Sequence, residues 1–414
     1  MTGGLAVGER GDRLAAPSRE WRDSGHLVAL AAVGLTCAPT TLPVYTIGVF
    51  VGPFEQAFGW SRGAIQAAIL FSTGLGMIAA PMAGAMIARV GVRRTVIPGL
   101  AGLTLALVAA SAMGGALWQL YAVYALMSLL GAGAGGVGWN TLLTRRFTMS
   151  RGLALGIGLS GTGLCSIVMP QVAAQSIAIW GWRGAYLALA AIAFLLVLPL
   201  CALLLPRDGP ARTGGALPAL PGMNAGAAVR SRRFWMLGAS TAATYLAIGG
   251  AIPNLVPLLT DAGIAPARAA SVLGVFGASV IIGRIAVGAL VDRFWAPAVA
   301  LAVLLAAAAG CVVLATGPGL VGAGIGAALL GMAAGTELDL LGYLVSRYFG
   351  LADFARIYGR LFVFVAAAAG IAPLLFGLTY DRLGSYAPAF GASAALLAAG
   401  AIGLLALGRY PVLD

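Results

Sequence analysis

Three side chains carry the chemistry that this sequence offers. Arg284, Glu337 and Asp339 are the strongly ionisable residues that fall inside long apolar stretches. A charge at bilayer depth costs at least ~2.5–3.5 kcal/mol on insertion scales, so it faces a cavity or a partner. Arginine stays charged, and its planar guanidinium matches a carboxylate through two parallel hydrogen bonds. Arg284 is therefore a candidate anion site. A carboxyl group in a low-dielectric site holds a proton more readily than in water, which makes Glu337 and Asp339 candidates for proton coupling. The competing reading is structural. Arg284 would then be an ion-pair partner inside the C-terminal half, and the two acids part of a gate network with Arg284 or Arg293.

Spacing limits how the three combine. Arg284 precedes Asp292 by eight residues, ~12 Å of helix. Glu337 and Asp339 precede Ser346 by nine and seven residues, which sets all three groups at about one depth. Two residues of helix turn by ~200°, so the acids cannot share a face. Thr336, Asp339 and Tyr343 form one stripe, and Glu337, Leu341 and Leu344 the other. At most one acid is expected beside Arg284.

The elements that must position these groups follow from composition. The chain has 414 residues, 60% apolar and only 9% charged, against about 25% charged in soluble proteins. Apolar blocks long enough for a ~30 Å hydrocarbon core fall at 26–50, 64–88, 95–113, 118–143, 152–176 and 184–205, and again at 233–260, 270–291, 298–315, 319–345, 360–379 and 389–408. Residues 206–232, rich in Pro, Gly and Arg, read as a solvated linker. The expected fold class is an all-α membrane protein of twelve transmembrane helices. Its division is a flexible N-terminal tail (1–25), an N-terminal six-helix bundle (26–205), the linker (206–232), a C-terminal bundle (233–408) and a short tail (409–414).

All 25 basic residues are arginine. With the N-terminus in the cytoplasm, 20 fall on that side and four (Arg62, Arg183, Arg268, Arg382) on the other. This is the positive-inside pattern with both termini cytoplasmic. It accounts for the net charge of +12 without nucleic acid. The first 25 residues lack the apolar core of a signal peptide. The four cysteines lie in apolar blocks without metal-ligand spacing, and His26 has no nucleophile beside it, so no metal, cofactor or enzyme chemistry is expected. The run Gly131-x-Gly133-x-Gly135 follows no strand and is no nucleotide loop. Gly152, Gly156 and Ser160 give the fifth helix a smooth face suited to sliding. Pro39, Pro43, Pro253, Pro257 and Pro373 are candidates to bend their helices.

The halves echo each other. Gly84-Ala85-Met86-Ile87-Ala88-Arg89 is matched by Gly288-Ala289-Leu290-Val291-Asp292-Arg293 after a displacement of 204 residues, as two parallel six-helix repeats require. The loop Gly84-x-x-x-x-Arg89-x-Gly91-x-Arg93-Arg94 resembles the signature loop of the major facilitator superfamily, with Ala88 in place of the usual Asp; Asp292-Arg293 keeps the acid in the second copy. A narrower likeness runs through Gly59-Trp60-Ser61-Arg62, Arg151–Ile157, Gly181-Trp182-Arg183, Gly283-Arg284, Glu337-x-Asp339, Arg347-Tyr348-Phe349-Gly350, Tyr358-Gly359, Tyr380-Asp381 and Gly384-Ser385-Tyr386. Together these resemble the bacterial oxalate–formate antiporter and monocarboxylate transporter branch.

That resemblance implies a carrier for a small carboxylate in a bacterial inner membrane, working as a monomer by alternating access, with a proton or a counter-anion as co-substrate. It places the carboxylate on Arg284. It puts helices 1, 4, 7 and 10 around the cavity, which makes Tyr45, Asn140, Tyr245 and Asn254 candidate substrate contacts and the signature-loop residues candidate gate elements. Val280 stands where related carriers often have an Asp, and residues 361–378 hold no charge for a second carboxylate. The rival expectations are an exporter of apolar compounds with the same fold, or a membrane sensor that transports nothing.

Overall fold

The computed structural model describes residues 5–147, 149–207 and 222–411, with side chains from residue 20 onward except at 292 and 355. Among the described residues, eleven segments are long and apolar enough to cross a membrane. They are α1 (Glu20–Phe58), α2 (Arg62–Val90), α3 (Arg93–Ser111), α4 (Leu117–Arg146), Arg151–Leu204, α7 (Arg232–Asp261), α8 (Pro266–Val291), α9 (Ala296–Ala315), α10 (Leu320–Phe349), α11 (Arg356–Leu383) and α12 (Ala387–Leu405). The fifth segment has 54 residues. Straight, it would reach ~80 Å at 1.5 Å per residue, far beyond a ~30 Å core. It breaks at Gly181, whose φ of +67° suits glycine. The two pieces, 151–180 and 182–204, are α5 and α6, and the spans number twelve.

Two expected coil segments are ordered where they meet the bundle. Helix runs from Leu5 into α1 instead of starting near residue 26. Glu20 accepts hydrogen bonds from the backbone N–H groups of Met149 and Ser150, and Trp21 packs on Phe147, which ties this helix to the α4–α5 turn. The end of the central linker is likewise docked. Asn224 caps a short helix, Ala225–Arg230. Its start is held by Met223 N–H on the Phe349 carbonyl, Ala225 N–H on Asp353 and Arg360 on the Ala225 carbonyl. The middle of the linker lies outside the described residues.

Small residues set how closely the helices approach. A Cβ added at Gly283, Gly331 or Gly335 would strike the backbone of Met332, Phe276 or Val280, so α8 and α10 are packed main chain on main chain. The two halves touch in the same way. Gly163 of α5 lies on Gly277 of α8, Gly48 of α1 on Pro253 of α7, and Gly63 of α2 on Gly377 of α11. The expected sliding face at Gly152 and Gly156 meets open space. The intimate contact is made further along α5, where Ser166 also donates to the Leu273 carbonyl at 2.7 Å.

These contacts leave one end of the molecule parted. The segments Gly136–Arg146, Arg151–Leu159 and Glu337–Phe349, which lead to the face bearing the termini, take their main contacts among the described residues from their own half. A cleft therefore opens toward the terminus-bearing face, and the halves are sealed together on the far face.

The α8–α10 contact gives a stability prediction. Gly283→Leu should lower the thermal unfolding midpoint of the purified protein, since overpacking costs about 1–3 kcal/mol. Gly274→Ala on the same helix, where a Cβ meets nothing within 4 Å, should leave that midpoint unchanged or raise it slightly.

Candidate functional site

α10 is not continuous. Leu320–Ala334 and Glu337–Phe349 are separate helices with Gly335 and Thr336 between them. The break frees the Gly335 carbonyl for a partner outside its helix, and Arg284 Nε donates to it at 3.0 Å. The same Nε lies 3.1 Å from Asp339 Oδ2. The Arg284 side chain is 12% exposed. Its Nη1 is buried and has no hydrogen-bond partner. A guanidinium has five donors and no acceptor, so this arginine is anchored at one edge and unsatisfied at another. An unmatched charged donor is costly, and its natural complement is an anionic oxygen.

The acids in the first turn of Glu337–Phe349 sit where the helix presents its positive dipole end. They face different ways. The Asp339 side chain is 50% exposed. Glu337 is buried beside Tyr245, with Oε1 lacking any partner. Tyr45 of α1 is buried against Phe276 and lies within electrostatic range of both Arg284 and Glu337. The structure therefore gathers Arg284, Asp339, Glu337, Tyr245 and Tyr45. Asn254 and Asn140 lie elsewhere. Asn254 is fully buried, donating to the Gly250 carbonyl and accepting from Gln66. Asn140 is exposed on the second part of α4.

On the far face the structure builds a second charged cluster, around Arg62. The Arg62 guanidinium holds Asp261 of α7 through two bonds, 2.6 and 2.8 Å, and its Nε bonds Glu55 of α1 at 2.9 Å. It lies 3.7 Å over the Tyr380 ring and donates to the Tyr386 hydroxyl. Burial raises the Tyr386 phenol above its ordinary range against the pull of Arg62, so the group stays protonated. Asp381 of α11 completes the clamp by accepting the backbone N–H groups of Arg62 and Gly63 at 3.0 and 2.8 Å. An acid from the C-terminal half thus caps an N-terminal-half helix. One turn deeper, Gln66 donates to the Pro253 carbonyl at 3.3 Å. That carbonyl is free because Pro257 has no N–H to give it.

The sequence does contain these residues, in Gly59-Trp60-Ser61-Arg62 and Tyr380-Asp381, but Arg62 reads there only as a loop charge. No local spacing connects it to acids about 200 and 320 positions away.

A family model for the Major Facilitator Superfamily matches residues 29–352. The chain belongs to this superfamily. Its relatives include Monocarboxylate transporter 13 of Bos taurus, 30% identical over 270 residues, which cover 63% of this chain and 60% of that protein. Monocarboxylate transporter 11 of Homo sapiens is 32% identical over 235 residues, 53% of this chain and 46% of that one. The MFS-type transporter pytF of Aspergillus terreus is 30% identical over 149 residues, 36% of this chain and 48% of that one. The chain thus matches about half of the length of these curated relatives. Among solved structures, a bacterial homolog of the human lysosomal transporter Spinster, in an inward-facing and unoccupied conformation, superposes with a TM-score of 0.66 over 92% of this chain and 93% of that one, at 16% identity. The protein is an integral multi-pass membrane protein of a transporter family, not an enzyme.

The loop that resembles the superfamily's signature lies on the terminus-bearing face. Gly91 turns the chain at φ +91°, a conformation that favours glycine. Arg93 donates to the Ala202 and Leu205 carbonyls, closing the end of α6 within the N-terminal half. Arg89, Arg94 and Arg293 are exposed, Gly84 lies near Val137, and Gly288 meets open space. The Asp292 side chain lies outside the described residues.

The Arg62 clamp predicts a conformational shift. Hydrogen bonds to charged groups contribute about 1.5–3 kcal/mol each, so Arg62→Ala should favour separation of the far face by roughly tenfold or more. Spin labels at Ala57 and Ala262, both exposed, should show one short distance in the parent protein and an added long-distance population in the variant.

Proposed function

We propose that this chain is a secondary carrier of a small monocarboxylate, which docks on Arg284 and crosses by alternating access. The observation that carries the reading is the buried, unpartnered Nη1 of Arg284, held at the discontinuity of α10 by Gly335 and Asp339. Broken helices beside a binding residue are the usual construction of carrier sites near the membrane midplane. The monocarboxylate transporter relatives supply the substrate class. The absence of charge over residues 361–378 favours one carboxylate over two.

Charge counting supports coupling. Arg284 and Asp339 together are neutral, and a bound carboxylate adds one negative charge. Closing a low-dielectric site around that excess is unfavourable, so a proton on Asp339 or Glu337 accompanies the anion; returning with another anion is the exchange alternative. In this scheme the cleft opens to the cytoplasm of a bacterial inner membrane, as the arginine bias orients it. The Arg62 clamp holds the outer gate shut, the signature loops form the inner one, and a single chain, divided at the central linker, is the working unit.

Uptake of labelled acetate, lactate, pyruvate and oxalate into proteoliposomes tests this reading. An inward proton gradient should drive monocarboxylate uptake, and Arg284→Lys should reduce it at least tenfold because a point charge lacks the guanidinium fork. Normal uptake by Arg284→Lys contradicts the reading. Export of lipophilic compounds that survives Arg284→Ala would place the chain among the exporters instead.

A further inference from the structure

Inside the C-terminal half lies a small cavity of about 30 Å³ bounded by α7, α8, α9, α10 and α12. That is room for about two or three water-sized occupants, since a water needs about 10–15 Å³ on this measure. Leucine, valine and alanine side chains make most of its wall. The polar groups are Glu337, Thr241, Thr244 and Thr336. Each threonine already spends its hydroxyl proton on its own helix: Thr241 on the Leu237 carbonyl at 2.7 Å, Thr244 on Ser240 at 3.0 Å and Thr336 on Ala333 at 2.9 Å. They present only lone pairs to the cavity. Glu337 Oε1 is buried there without a partner.

An ionised Glu337 would therefore face three further acceptors. Tyr245 is its neighbouring hydroxyl, and among the described residues nothing hydrogen-bonds Oε1. The charged and titratable groups around it do not neutralise it. Arg284 of α8 pairs through one edge with Asp339, and no ion pair among the described residues joins it to Glu337. Asp339, on the same helix as Glu337, is itself an acid. Tyr45 of α1 and Tyr358 of α11 lie within electrostatic range of Glu337 and Tyr245 respectively but carry no positive charge. The cavity-lining residues of α9 and α12 are apolar. A buried carboxylate, surplus lone pairs and no compensating charge are jointly satisfied by one thing, a small cation.

We propose that Glu337, Thr241, Thr244 and Thr336 form a monovalent-cation site, for H⁺ or Na⁺, within the C-terminal half. As a proton site it places the hydrogen on Glu337, from which it donates to a threonine oxygen. As a sodium site it coordinates Glu337 Oε1 and the three hydroxyl oxygens. Either occupant lets the cation bias the packing of α7 against α10 without touching the carboxylate.

The site can be tested on the purified full-length protein without any transport assay, so its outcome is distinct from that of the carboxylate reading. Infrared difference spectra across a pH titration read protonated carboxyl groups, and thermal unfolding with Na⁺ against choline reads sodium binding. A carboxyl band that titrates, vanishes in Glu337→Gln and persists in Asp339→Asn identifies the proton. A stabilisation specific to Na⁺ that is lost in Glu337→Gln identifies sodium. Thr244→Val, which keeps the carboxyl and removes one oxygen, should move the midpoint of whichever titration is observed by at least threefold in concentration, and it serves if Glu337→Gln does not fold. A parent protein with neither signal, its Glu337 ionised at every pH and indifferent to Na⁺, overturns the proposal.

Discussion

A charge taken out of water must find its complement in the protein, and the membrane interior enforces this more strictly than any soluble core. This constraint explains the contrast between the two charged clusters. Arg62 is saturated by Asp261, Glu55, Tyr386 and the face of Tyr380. Three of these belong to the opposite half, so satisfying the arginine closes the far face. Arg284 is satisfied on one edge only, by partners from its own half. It binds the halves to nothing, and its remaining donor is left for a ligand.

The backbone prepares both clusters. The Gly335–Thr336 break supplies the carbonyl that anchors Arg284. The missing N–H of Pro257 supplies the carbonyl that receives Gln66. At each place a helix gives up a hydrogen bond of its own, and a side chain from a neighbouring helix takes it over. Glycine contacts bring the helices near enough for this, because α8 and α10 at Gly283, Gly331 and Gly335 leave no room for a Cβ. Sealing on one face and separation on the other then follow from where the small residues meet: Gly163 with Gly277 and Gly63 with Gly377, but not Gly152 or Gly156.

Much of the architecture could be read from the sequence because bilayer thickness dictates it. The apolar blocks, the polar centre and the displaced repeat all reflect local composition, and the twelve spans follow from them. The charged residues of the cleft were legible for the same reason, since an ionisable group in an apolar block is conspicuous. Features that depend on distant partners were not. Gly335 is one of 61 glycines, and nothing adjacent marks it as a helix break. Arg62 and Asp381 are more than 300 residues apart, and each alone is an ordinary loop-end charge. The docking of Glu20 and Trp21 and of the end of the linker likewise depends on tertiary partners, Met149, Phe147, Phe349 and Asp353, that polar composition does not reveal.

The central claim is that the free edge of Arg284 receives the substrate carboxylate. A cryo-electron microscopy map of the protein saturated with a transported monocarboxylate tests it most directly. The account predicts ligand density in the cleft with a carboxylate oxygen within hydrogen-bond distance of Arg284 Nη1. Density for the ligand elsewhere, with Arg284 still bound only to Gly335 and Asp339, would contradict it.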